Sequence, residues 1–104
     1  MKRFIALTLM FLSGSSFAID FVNVPNASLL KWQIDPVGKI WFRNLNDFDG
    51  GFLGCCYNYS LDLSAVNGKA VWATILLKSA TSGSISIGVV DRAVPSAVTY
   101  AGNH

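Results

Sequence analysis

The side chains that could do acid–base or nucleophilic chemistry are few in this 104-residue chain, and they are not arranged for it. The single histidine is the last residue, His104, where chain ends fray. There is no glutamate. Proton transfer would fall to Asp20, Asp35, Asp47, Asp49, Asp62 and Asp91, none with a histidine close in sequence. No serine stands in a G-x-S-x-G setting beside a base. The two cysteines, Cys55 and Cys56, are adjacent, which is neither the C-x-x-C of thiol–disulfide exchange nor an ordinary zinc spacing. Asp47-Phe48-Asp49-Gly50-Gly51 suggests a calcium loop. With either glycine in the sixth place, though, Leu45 or Phe48 falls where an oxygen ligand is needed, and the closing glutamate is missing. It reads as an exposed turn. The residues predict a protein that is not an enzyme and uses no metal and no cofactor.

Binding chemistry is better supplied. Trp32, Trp41 and Trp72 carry rings that stack on sugars and anchor interfaces. Trp72 falls in an apolar segment and suits a core or subunit contact. Trp41 is out of phase with Ile40 and Phe42 and shares a strand face with Lys39 and Arg43. If Ile40 and Phe42 point inward, Trp41 stands outward beside a cation and an Asn/Asp-rich loop. Trp41, Arg43 and Trp32 are therefore the candidate ligand contacts, and the rival for Trp41 is cover by another strand. Asn26-Ala27-Ser28 and Asn58-Tyr59-Ser60 match the N-x-[ST] acceptor pattern, which matters only in a glycosylating host.

The elements that must position these residues begin after a targeting segment. Lys2 and Arg3, the apolar run from Phe4 to Leu12, and small residues at Ser16 and Ala18 have the layout of a secretory signal peptide cleaved after Ala18. The apolar run is too short for a membrane anchor. The expected organisation is a signal peptide over 1–18 and one small domain over 19–104, secreted or periplasmic and not membrane-spanning. Lys2 and Arg3 account for the formal net charge of +2, so residues 19–104 are formally neutral. That offers nothing to nucleic acid or an acidic membrane. With 52% of the chain hydrophobic and 13% charged, so small a domain has difficulty hiding its apolar surface, and a homo-oligomer is expected.

Phe21 to Val24, Leu29 to Ile34 and Lys39 to Leu45 read as strands, separated by Pro25-Asn26 and by Asp35-Pro36 with Gly38. Asn44 to Gly51 is loop chemistry. From Leu53 to Leu63 apolar and polar residues alternate, as in a half-buried strand. In a regular strand Cys55 then faces the core and Cys56 faces out, free or bridging to another chain. The alternative is a bond between them. It would need a bulge at Gly54, because α-carbons across a trans peptide are closer than disulfides prefer. Ser64 to Gly83 reads as a helix, capped by Ser64 or Asn67 and ended by Gly83, with Ala70 to Ala80 apolar nearly all round and so buried on more than one side. The rival is a buried strand over Val71 to Leu77. Ile85 to Val89 alternates again, and Val98 to Tyr100 is a last short strand.

The run Leu61-Asp62-Leu63-Ser64-Ala65-Val66-Asn67-Gly68-Lys69-Ala70-Val71-Trp72, leading to Gly83 and an alternating strand, resembles a group of small secreted bacterial proteins. That group is similar to the B subunits of subtilase-cytotoxin-type AB5 toxins. The resemblance spans roughly Lys39 to Val90. It implies a β-rich α+β domain: a small OB-like, partly open barrel of about five short strands, with one helix between the third and fourth. It also implies a ring-forming oligomer that binds a cell-surface glycan or protein, paired with an A-subunit-like partner. Relatives join a cysteine near the third strand to one after the later strands, whereas here no cysteine follows Cys56. Two functions are therefore expected to compete: a secreted non-enzymatic binding module, and a structural or assembly protein of the envelope or secretome with no small ligand.

Overall fold

The computed structural model describes residues 19–103. The proposed signal peptide and His104 lie outside the described residues. Six strands form one mixed sheet: β1 (Asp20–Val24), β2 (Trp32–Ile34), β3 (Lys39–Phe42), β4 (Tyr59–Asp62), β5 (Ile85–Val89) and β6 (Ser96–Gly102), in the order β1-β5-β6-β4-β3-β2. One helix, α1 (Gly68–Ala80), joins β4 to β5. All pairings are antiparallel except β4 with β6, which run parallel with Tyr59 opposite Ser96. The sheet is not closed by hydrogen bonding between its edge strands β1 and β2. Each stretch read as a strand overlaps one, but there are six strands rather than about five, and the helix follows the fourth rather than the third.

The alternation of the sequence becomes the core. On β3, Ile40 and Phe42 are buried while Lys39 and Trp41 are only half-buried; on β4, Tyr59 and Leu61 are buried. Helix α1 lays Val71, Trp72 and Ile75 onto them, at the three- and four-residue spacing of a helix face. Trp72 receives Trp32 edge-on at 4.7 Å between ring centroids and Phe42 at 6.4 Å. Gly68 lets the helix start against the end of β4, since a Cβ there would collide with the Asp62 carbonyl oxygen.

Two helix expectations need correction. The segment is not buried on more than one side: Leu77 is 62% exposed, and Leu76 and Val66 are also open. A sheet covers only one helix face, so the outer apolar residues stay outside. The left-handed residue after the helix is Ser82 (φ 56°) and not Gly83, whose N–H instead closes the turn onto the Lys78 carbonyl at 2.9 Å. Asn67 holds the N-cap position without a side-chain cap; its amide donates to the Thr99 carbonyl on β6.

Candidate functional site

The turn from β2 to β3 is built by Asp35. One carboxylate oxygen accepts the backbone N–H groups of Val37 (3.0 Å) and Lys39 (2.9 Å), and Gly38 takes a positive φ of 90° that allows the reversal. The other oxygen accepts the indole N–H of Trp41 at 2.9 Å. The indole bond, then the Lys39 N–H, holds the Asp35 carboxyl below the ordinary value of 3.8, because each donor favours the charged form. The Lys39 ammonium stands over the Trp41 ring, 5.9 Å from its centroid.

Around this fixed indole, Gln33, Ile34, Asp35, Trp41 and Tyr57 line an open cleft of about 350 Å³. Gln33 lies directly opposite Trp41 in the β2–β3 register. Ile34 is 53% and Tyr57 38% exposed, so the rim of the cleft is apolar and aromatic. A fixed ring, a second aromatic side chain, one neutral amide and one carboxylate make a surface suited to stacking and hydrogen bonding.

A second, smaller cleft lies beside it, lined by Lys31, Arg43, Asn44, Asn46, Asp47 and Cys55. Its floor is organised by Asn44, which is buried: the side chain accepts the Lys31 N–H at 2.8 Å and donates to the Leu29 carbonyl at 2.9 Å and to Asp47 at 3.2 Å. Arg43 therefore stands in this neighbouring cleft and does not line the one around Trp41. Trp32 is on the other face of the ribbon, packed on Trp72. Of the three candidate contacts, only Trp41 lines the aromatic cleft.

The cysteine expectation is overturned. Cys55 and Cys56 are bonded to each other across a cis peptide, and both are exposed. Neither is a core thiol, and neither is free to bridge to another chain. The expectation assumed a regular strand from Leu53 to Leu63, and only Tyr59–Asp62 is one. Pairing begins at Phe42 opposite Tyr59; beyond Phe42 the partner strand has turned into the short 3-10 segment Leu45–Asp47, so residues 53–58 have no ladder to join. They are held instead by the Tyr59 hydroxyl, which accepts the Leu53 N–H at 2.7 Å and donates to the Arg92 carbonyl, and by the Asn58 amide on the Gly54 carbonyl at 2.7 Å. This irregular segment is what brings Tyr57 out to the cleft.

Gln33, Ile34, Asp35 and Tyr57 were not picked out from the sequence. The Asp35-Pro36-Val37-Gly38 turn was the available signal, since a turn-forming aspartate six residues before an outward Trp can reach it. Two further clefts on the β1–β5–β6 half of the sheet share Ser86 and Gly102: in one the Ser86 hydroxyl donates to Asn23 at 2.6 Å, and in the other Phe21 and Tyr100 meet edge-on at 5.9 Å. Among the described residues, no group of three or more His, Cys, Asp or Glu is placed to hold a metal ion, and no helix is long and apolar enough to cross a membrane. No protein-family model, curated protein or solved structure matches the chain.

Proposed function

We propose that the protein is a secreted, non-enzymatic binding module that recognises a cell-surface carbohydrate through the Trp41 cleft. The observation that carries the reading is the indole of Trp41, pinned at its edge by Asp35 and framed by Ile34, Tyr57 and Gln33. Sugars are held by this combination: an aromatic face for C–H bonds and planar polar groups for hydroxyls.

The strand order supports an OB-type topology. With β1 and β2 taken as two halves of one interrupted first strand, the sequence becomes strand, strand, strand, helix, strand, strand, and the third and last strands (β4 and β6) run parallel. OB folds bind ligands on the face of their second and third strands and on the loop before the second. In this chain the cleft draws Trp41 from β3 and Asp35 from the turn before it, with Gln33 and Ile34 of β2 and Tyr57 of the segment before β4 completing its lining. The Lys2-Arg3 and Phe4 to Ala18 layout supports secretion. The outward apolar residues Leu76 and Leu77 of the helix, with Val66 in the turn before it, support a homo-oligomer and would suit contact with an A-subunit-like partner.

A glycan array probed with wild type and Trp41→Ala tests the reading. Wild type should bind a defined set of glycans, and Trp41→Ala should lose them while unfolding as cooperatively as before. If the folded wild type binds no glycan, the reading fails. The same apolar residues favour the second reading, a structural assembly protein. There, Leu77→Ser would dissolve the assembly measured by light scattering, and Trp41→Ala would have no functional effect.

A further inference from the structure

We infer that the sugar seated on Trp41 is an uncharged pyranose, stacked on the indole through its C–H bonds, and that Asp35 turns away sugars bearing a carboxylate. This rests on the carbohydrate reading above and adds the class of sugar.

Trp41 has one hydrogen-bond donor, and Asp35 takes it at 2.9 Å. The indole therefore offers a ligand only its π face. With the Lys39 ammonium over the ring, one face remains for stacking. An aromatic face attracts the weakly positive C–H bonds of a pyranose and gives nothing to a carboxylate. Hydrogen bonding falls to Gln33, whose exposed amide has donors and an acceptor for neighbouring hydroxyls.

Charge points the same way. Among the residues lining the cleft, Asp35 is the one carboxylate, and there is no Lys or Arg. Three N–H groups stabilise its ionised form. Lys39, whose ammonium stands over the ring, does not line the cleft and sits opposite Asp62 in the β3–β4 register. A ligand carboxylate entering this cleft meets an anion. The Lys31 and Arg43 cations line the adjoining cleft, where Asp47 stands with them.

The test uses protein produced from the full chain and two matched pairs: methyl β-glucoside with methyl β-glucuronide, and methyl α-galactoside with methyl α-galacturonide. Each pair exchanges a hydroxymethyl group for a carboxylate. Affinities are read by ligand-observed NMR titration. In at least one pair the neutral member should bind about tenfold more tightly, the effect of one like charge a few ångströms away in a partly solvated site. Asp35→Asn should bring that ratio to about twofold or less. Raising the ionic strength on wild type should narrow it as well, a check that needs no variant to fold. Equal or tighter binding of the acidic members, lost in Arg43→Ser, overturns the inference and leaves the carbohydrate reading standing. Binding of neither member of either pair by folded protein, with glycan-array binding retained, also overturns the inference. Binding of nothing on the array or in the titrations overturns both.

Discussion

The two faces of the β2–β3 ribbon carry a tryptophan each, and the two residues have opposite employment. On the inner face Trp32, opposite Phe42, meets Trp72 of the helix edge-on and helps close the core. On the outer face Trp41, opposite Gln33, packs on no core ring; its fixed contact is a hydrogen bond to a turn carboxylate. One ring is held by burial and the other by polar geometry on an open surface. A core tryptophan stabilises the fold. A surface tryptophan whose orientation is fixed contributes little to folding and is ready for a ligand without further loss of side-chain freedom.

That contrast can be broken by substitution. Phe42→Ala, opposite Trp32, edge-on to Trp72 and almost fully buried, should destabilise by about 3–5 kcal/mol, measured by urea unfolding. Trp32→Ala removes a partly buried ring from the same cluster and should lose about 2–3 kcal/mol. Trp41→Ala should stay within about 1 kcal/mol of wild type in the same measurement, because no core packing is lost. A Trp41→Ala loss as large as that of Trp32→Ala would erase the distinction between the faces.

Acidification sharpens it. Asp35 is held below the ordinary 3.8 chiefly by the Trp41 N–H, so its contribution to the folded state is complete above that value. The contribution fades as pH falls through the lower folded-state value, when protonation weakens the acceptor. Asp62 behaves in the same direction, held low mainly by the Ser64 hydroxyl. Trp41 fluorescence, read in a Trp32→Phe, Trp72→Phe background, should be flat from neutral pH to about 4 and change below it. The same change in Asp35→Asn would assign it to another group. The smallest effect concerns the cysteines: unreduced protein should take up no iodoacetamide and run as the same species on non-reducing and reducing gels, apart from higher assemblies that detergent dissolves.

Much of this was legible in the sequence because period-two alternation reports which side chains face in. Alternation puts Ile40 and Phe42 on one face of the strand and Trp41 on the other; Ile40 and Phe42 are buried and Trp41 is half-buried. The pattern does not report whether a segment has a partner strand. Leu53 to Asn58 alternates as well as Tyr59 to Asp62 does, yet only the latter finds β3 to pair with, and the reading of Cys55 and Cys56 failed for that reason. Nor does alternation show a hydrogen bond between a turn and a strand. Asp35 was read as punctuation, and it also fixes the indole. The apolar run of the helix suggests burial on more than one side because composition cannot tell a covered face from an uncovered one; Leu76 and Leu77 are on the uncovered side.

The most direct measurement follows the three indole N–H signals of the chain in a ¹⁵N–¹H spectrum while a glycan identified on the array is added. The account predicts that the Trp41 indole and the backbone signals of Gln33 and Tyr57 move and saturate together, while the Trp32 and Trp72 indoles stay still. Movement confined to Phe21, Ser86 and Tyr100, with Trp41 unchanged at saturation, would contradict it.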